Sequence, residues 1–115
     1  MNKVHEFRRY REKMNERILK SNNKVIKRIY SIDTLTYENG ALDNKTKEML
    51  GLVSSLVLRC DDCVKYHIEQ CFKAGISEDE FFEVLSVACT VGGTIVIPHM
   101  RRAVEFWDEL INKNI

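Results

Sequence analysis

An all-α chain of about six helices is predicted, on three observations. Apolar residues recur at helical spacing in most stretches. A capping box and several single-residue caps mark where helices start. Only one segment is strand-like, so no sheet can form. With one proline and five glycines, the chain also lacks the turn residues of a β-sandwich.

The first helix is expected from Asn2 to about Lys20, where Phe7, Tyr10, Met14 and Ile18 form a thin apolar stripe on a charged surface. Acidic residues interrupt the basic ones, so a solvated helix resting on the body or on another subunit is preferred to a nucleic-acid arm. Ser21-Asn22-Asn23 breaks it, and Ser21 or Asn22 can cap the next helix. That short second helix is expected from about Lys24 to Ile32, with Val25, Ile26, Ile29 and Tyr30. Thr34 to Leu42, containing Glu38-Asn39-Gly40, reads as a loop.

Asp43 stands at an N-cap position before Lys45-Thr46-Lys47-Glu48. From Met49 to Leu58 the chain is apolar except for Gly51, Ser54 and Ser55, as a central helix would be. Arg59-Cys60-Asp61 is the polar interruption before the fourth helix, with Asp61 a plausible N-cap and Gly75 in the C′ position beyond Ala74. Ser77-Glu78-Asp79-Glu80 is a capping box ahead of Phe81-Phe82. That fifth helix continues through Val84, Leu85, Val87, Ala88 and Cys89 to Gly92-Gly93. Ile95-Val96-Ile97 is β-branched, but a lone strand has no partner, so it is assigned to the start of the last helix. Pro98 is tolerable there only in or near the first turn. Met100, Val104, Trp107 and Leu110 carry that helix onward.

At 115 residues a single domain over 1–115 is expected, with N-terminal helices in 1–40 and a core in 41–110. A net charge of +1 gives no basis for bulk binding to nucleic acid or acidic membranes. Residues Met1 to Arg9 are charged, without the apolar run of a secretory leader, and no segment reaches membrane-spanning length. A cytoplasmic protein is expected, in which cysteines are held reduced. Four cysteines there point to catalysis, metal binding or packing and not to a structural disulfide framework.

The chemistry lies in Cys60-Asp61-Asp62-Cys63-Val64-Lys65-Tyr66-His67. Two thiols separated by two residues can close a disulfide within a turn, and a histidine four residues on shares their face. At ~100° per residue, Cys60, Cys63, His67 and Cys71 all fall within one quadrant of a helix. Thiol, thiol and imidazole suffice for reversible disulfide chemistry, since the thiolate attacks and a base helps form it. The same residue types bind zinc: Cys60, Cys63 and His67 could supply three ligands and Glu48 or His99 a fourth, though no second Cys/His pair stands at ligand spacing. Thiols at a helix N-terminus are favoured as thiolates by free N–H groups, whereas Asp61 and Asp62 oppose that charge, and the balance stays open.

Leu42-Asp43-Asn44-Lys45-Thr46-Lys47-Glu48, the Cys60-x-x-Cys63-x-x-x-His67 run, Lys73-Ala74-Gly75, and Gly92-Gly93 through Arg101-Arg102-Ala103 resemble the carboxymuconolactone decarboxylase superfamily. Within it, the chain resembles the alkylhydroperoxidase D-like redox branch, over roughly residues 41–110. The resemblance implies an all-helical homo-oligomer, a trimer or hexamer. It implies that Cys63 is the thiolate oxidised to a sulfenic acid. Cys60 would be the more exposed thiol that supplies a proton, closes the disulfide and exchanges with a partner. His67 would relay the proton, and Glu48, twelve residues before Cys60, would act through His67.

One position departs from the pattern: Asp62 stands where the alkylhydroperoxidase itself has a histidine, which favours dithiol–disulfide exchange over efficient peroxide reduction. The decarboxylase members lack the cysteine pair, so lactone decarboxylation is the lesser inheritance. The expectation is a thiol–disulfide oxidoreductase with some peroxidase activity and no cofactor or bound metal. It would use a peroxide or disulfide substrate and a thiol or dithiol reductant, which could be a partner redox protein. The alternatives are a zinc-binding module and a non-catalytic redox sensor. Cys71 and Cys89 are expected to pack, His99 to pack or cap, His5 to be solvated, and Phe81 and Phe82 to serve the core or a subunit contact.

Overall fold

The computed structural model describes residues 2–112. Among them six helices occur in order: α1 (Lys3–Leu19), α2 (Lys24–Thr36), α3 (Asn44–Val57), α4 (Asp61–Lys73), α5 (Glu78–Gly92) and α6 (Ile97–Asn112). A short 3-10 turn, Thr94–Val96, leads into α6, and no strand occurs among the described residues. The β-branched Ile95-Val96-Ile97 run is this turn plus the first residue of α6, and Pro98 falls in the first helical turn, where its missing N–H costs nothing.

Helix α3 is the hub. It packs against α4 and α5; α4 packs on α6, and α6 on α1. Leu52 and Leu56 of α3 meet Val64 and Ile68 of α4, Phe81, Leu85 and Ala88 of α5, and Ala103, Phe106 and Leu110 of α6 in one buried cluster. Burying each large side chain contributes about 1.5–3 kcal/mol. Phe81 stacks on Trp107 with ring centroids 4.4 Å apart and planes 9° from parallel. Its neighbour Phe82 is exposed, so the pair divides between core and surface.

Helix α1 is held at its start. Val4 is wholly buried, and Phe7 meets Phe106 edge-on at 5.8 Å. The carboxylate of Glu109 accepts the backbone N–H groups of Lys3 and Val4 at 3.0 and 3.3 Å, so α6 supplies part of the cap of α1. Arg8 donates to Glu69, a buried carboxylate of α4, at 2.9 Å.

Three local expectations are corrected. Helix α2 continues to Thr36 where a loop was expected from Thr34; the hydroxyls of Thr34 and Thr36 donate back to the carbonyls of Tyr30 and Ile32, at 3.2 and 2.7 Å. Asn23 caps α2, in place of Ser21 or Asn22, because Asn22 takes the left-handed conformation that turns the chain. Cys60 caps α4, in place of Asp61, which becomes its first helical residue. Asp43, Ser77 with Glu80, and Gly75 stand as expected.

Helix α2 has no buried residue, although Val25, Ile29, Ile32 and Leu35 form an apolar stripe at helical spacing. It is tied to the body by polar contacts. Tyr30 donates to Asn15 at 2.9 Å, and the Tyr37 carbonyl accepts from Asn44 at 2.8 Å.

Candidate functional site: a disulfide beside a buried carboxylate–imidazole pair

Helix α3 ends in a Schellman motif. The Arg59 N–H donates to Leu56 O and the Cys60 N–H to Ser55 O, each at 3.0 Å. Arg59 therefore holds the left-handed position, at φ 58°, which glycine usually fills. The end of α4 repeats the motif with Gly75, φ 87°. Cys60 both closes α3 and opens α4: its own N–H caps the old helix, and its sulfur accepts the Cys63 N–H at 3.2 Å at the start of the new one.

Cys60 and Cys63 are joined by a disulfide, with Cα atoms 5.3 Å apart. Cys63 is exposed and Cys60 half-buried. This reverses the exposure expected for the pair, because an N-capping side chain folds back over its helix while the third helical residue points outward. His67 lies one turn beyond Cys63 on the same face of α4, and it is buried, at 8 % exposure.

Glu48 and His67 are brought together. The Glu48 carboxylate, 2 % exposed, accepts from His67 Nδ1–H at 2.8 Å. This bond sets the tautomer and leaves Nε2 for chemistry. A buried carboxylate needs such a partner, and removing either one would cost about 3–5 kcal/mol.

Sequence reasoning missed the seat of this pair. Asn44, Glu48, Gly51 and Ser55 form one stripe along α3, and the small members were passed over as gaps in an apolar run. A Cβ at Gly51 would stand 2.7 Å from His67 Cε1, 2.9 Å from Nδ1 and 2.9 Å from Tyr37 Oη. Glycine is what lets imidazole and phenol close on the helix. Ser55 turns its hydroxyl to the Gly51 carbonyl at 2.7 Å. Tyr37 and Tyr66 flank the imidazole, each with its ring centroid 5.2 Å away, and Arg11 lies 4.1 Å over the Tyr66 ring. Burial pushes the Tyr37 hydroxyl up, and Asp33, Glu48 and Tyr66 push the same way. Burial and Glu48 likewise raise Tyr66, against the pull of Arg11. The polar stripe with a glycine at its centre was the available signal.

Also missed was what compensates Asp61. His99 Nδ1 donates to Asp61 Oδ1 at 2.8 Å, and Arg102 Nε to Oδ2 at 2.9 Å. Burial alone would raise the Asp61 carboxyl, but these two bonds outweigh it and hold it below the ordinary range. The nearer of the two acids is thus held by His99 and Arg102 of α6, while Asp62 is exposed. His99 packs at the start of α6, as expected, and its partner across the helix boundary is new.

The other two cysteines stand apart from the disulfide. Cys71 is wholly buried, and burial with the nearby Glu48 charge pushes its thiol up to about 12, so it stays protonated. Cys89 is half-buried, its sulfur 3.7 Å from Met100 Sδ. Among the described residues no three His, Cys, Asp or Glu side chains converge at metal-binding distance. None of the described helices is long and apolar enough to cross a membrane.

A sequence profile of the carboxymuconolactone decarboxylase family matches residues 24–106. The chain belongs to that family, and the match begins at α2, before the region that carried the resemblance. A crystal structure from Thermotoga maritima superimposes with a TM-score of 0.90 at 48% identity, covering 96% of this chain and 98% of that one. A second structure of that protein, described as a family member "possibly involved in antioxidative response", agrees with a TM-score of 0.90 at 47% identity, over 95% of this chain and 92% of that one. A family protein from Legionella pneumophila, 22% identical over 95% of this chain and 97% of its own, shares the fold with a TM-score of 0.87. Among curated proteins, uncharacterized protein 4 in the cox locus of Paracoccus denitrificans is 22% identical over 80 residues, which is 70% of this chain and 72% of that protein.

Proposed function

We propose that this protein is a dithiol oxidoreductase of the alkylhydroperoxidase D-like redox branch, cycling Cys60 and Cys63 between thiols and a disulfide. One observation carries the proposal: a closed Cys60–Cys63 disulfide at the mouth of α4, one turn from an imidazole held by a buried carboxylate. The antioxidative association of the Thermotoga relative accords with it.

In the oxidative half, His67 takes the Cys63 proton and the thiolate attacks a peroxide oxygen. The O–O bond breaks, Cys63 becomes a sulfenic acid, and the alcohol or water leaves with a proton. The Cys60 thiol attacks that sulfur, so the S–S bond forms and water departs. A disulfide substrate is exchanged instead, with Cys63 attacking sulfur and Cys60 releasing the second thiol. In the reductive half, an external dithiol attacks the protein disulfide, ends as a disulfide itself and leaves two protein thiols. Glu48 stabilises the imidazolium in each direction. Because Asp61 is paired with His99 and Arg102, it adds little repulsion to a thiolate at the start of α4. The setting is a reducing cytoplasm, and the active form is a homo-oligomer that covers the apolar stripe of α2.

Peptide mapping tests the chemistry. Peroxide should convert reduced protein to a Cys60–Cys63 bridge that a dithiol removes, leaving Cys71 and Cys89 free throughout. Stoichiometric zinc in protein purified without chelator, or a pair left unbridged after peroxide, would contradict it.

A further inference from the structure

We propose that Tyr37 is a positioning residue for the His67–Glu48 pair and the hydroxyl through which that pair exchanges protons with water. This rests on the dithiol function proposed above and adds a residue to it.

The pair itself has little direct access to water. His67 acquires a proton whenever the Cys63 thiolate forms and must return one when a thiolate or alkoxide leaves, yet Glu48 is 2 % exposed and His67 8 %. The imidazole receives its proton at Nε2 and passes one on from the Nδ1 edge, where Glu48 accepts. Tyr37 Oη stands on that edge. The vacant Cβ position of Gly51 is 2.9 Å from Tyr37 Oη and 2.9 Å from His67 Nδ1, so hydroxyl and ring edge converge on one spot.

Tyr37 also faces water. A cavity of about 490 Å³ is lined by Tyr37, Gly51, Ser54, Ser55, Leu58 and His67 among others, so the phenol and one edge of the imidazole border the same open space, while Glu48 does not reach it. Tyr66, on the other side of the imidazole, lines a different pocket with Arg8, Arg11 and Glu69. The titratable groups beside the pair are Tyr37 at the end of α2 and Tyr66 and Cys71 from α4, with Asp33 of α2 acting on both phenols and Arg11 of α1 on Tyr66. Tyr37 stays a neutral O–H near neutral pH because burial and the charges of Asp33 and Glu48 disfavour the phenolate. A neutral hydroxyl donates and accepts at once, which a relay requires. Its backbone is fixed too, since Asn44, the first residue of α3, holds the Tyr37 carbonyl at 2.8 Å.

Tyr37→Phe tests this, because it keeps the ring and removes only the hydroxyl. In dilute buffer its dithiol-coupled turnover should fall by about 10-fold, less than the ~100-fold or more that losing a direct acid–base group costs, because Tyr37 acts through the pair. Rising concentrations of a small buffer acid such as imidazolium should restore the rate of Tyr37→Phe and leave wild type unchanged. Equal rates, pH profiles and buffer responses in Tyr37→Phe and an active wild type would overturn the role of Tyr37 alone. An inactive wild type would overturn the dithiol function and this inference together.

Discussion

Asp61 lies one residue beyond Cys60, and an imidazole and a guanidinium of α6 hold its carboxylate. From sequence, Asp61 and Asp62 weighed against a thiolate, with nothing to settle the balance. The partners of Asp61 lie 38 and 41 positions away, which no local pattern reveals. The clamp makes stability depend on pH. The folded Asp61 carboxyl titrates below its ordinary value, ~3.9, so the clamp contributes stability above that value and loses it as pH falls through the lower folded one. Arg102→Ala should therefore melt below wild type near pH ~7, by an amount expected for a partly exposed pair, under ~1 kcal/mol. The gap should narrow as the pH falls below the ordinary carboxylate value and through the lower folded one. Calorimetric melts across that range check it, and a gap that widens toward low pH would contradict it. Cys60, Cys63, His67 and Glu48 were legible because spacing along one helix, or a family pattern, marks them. Tyr37 and Gly51 were not, because their importance lies in a contact between elements.

The caps and breaks of the helices explain where the cysteines stand. Asp43, Ser77 with Glu80, and Gly75 were readable because a cap is a local hydrogen bond between near neighbours. The α3–α4 junction was misread by one residue because its left-handed position is filled by Arg59, which carries none of the signal that glycine would. That choice costs about 1 kcal/mol of backbone strain. Arg59→Gly should leave the fold in place and raise or hold the midpoint of thermal unfolding, with a gain of up to ~1 kcal/mol. A loss above that size would mean that the Arg59 side chain supports the junction in some other way. Helix α2 ran longer than expected: Thr34 and Thr36 look like loop residues in sequence, whereas in the helix their hydroxyls find the carbonyls of Tyr30 and Ile32 one turn back.

The all-α class and the number of helices were plain from periodicity, since six amphipathic stretches with caps leave little else to build. How α2 sits was not plain. Its stripe of Val25, Ile29, Ile32 and Leu35 reads as a core face, yet in the single chain it meets no core. A helix with this much exposed apolar surface is normally covered, and the homo-oligomer proposed above covers it. Light scattering should give a mass at or above three chains, and Ile29→Asp with Ile32→Asp should lower it toward one. A monomeric wild type would remove the oligomer from the account. Tyr37, which caps the C-terminus of the same helix, lies against the imidazole, with ring centroids 5.2 Å apart.

The most direct test of the dithiol cycle is steady-state turnover of a hydroperoxide and of a small disulfide, each coupled to an excess dithiol, in wild type, Cys60→Ser and Cys63→Ser. Wild type should turn over at least the disulfide many times per chain, and both single serine variants should lose that turnover. Full activity in Cys63→Ser, or a wild type that oxidises once and stops, would contradict the account.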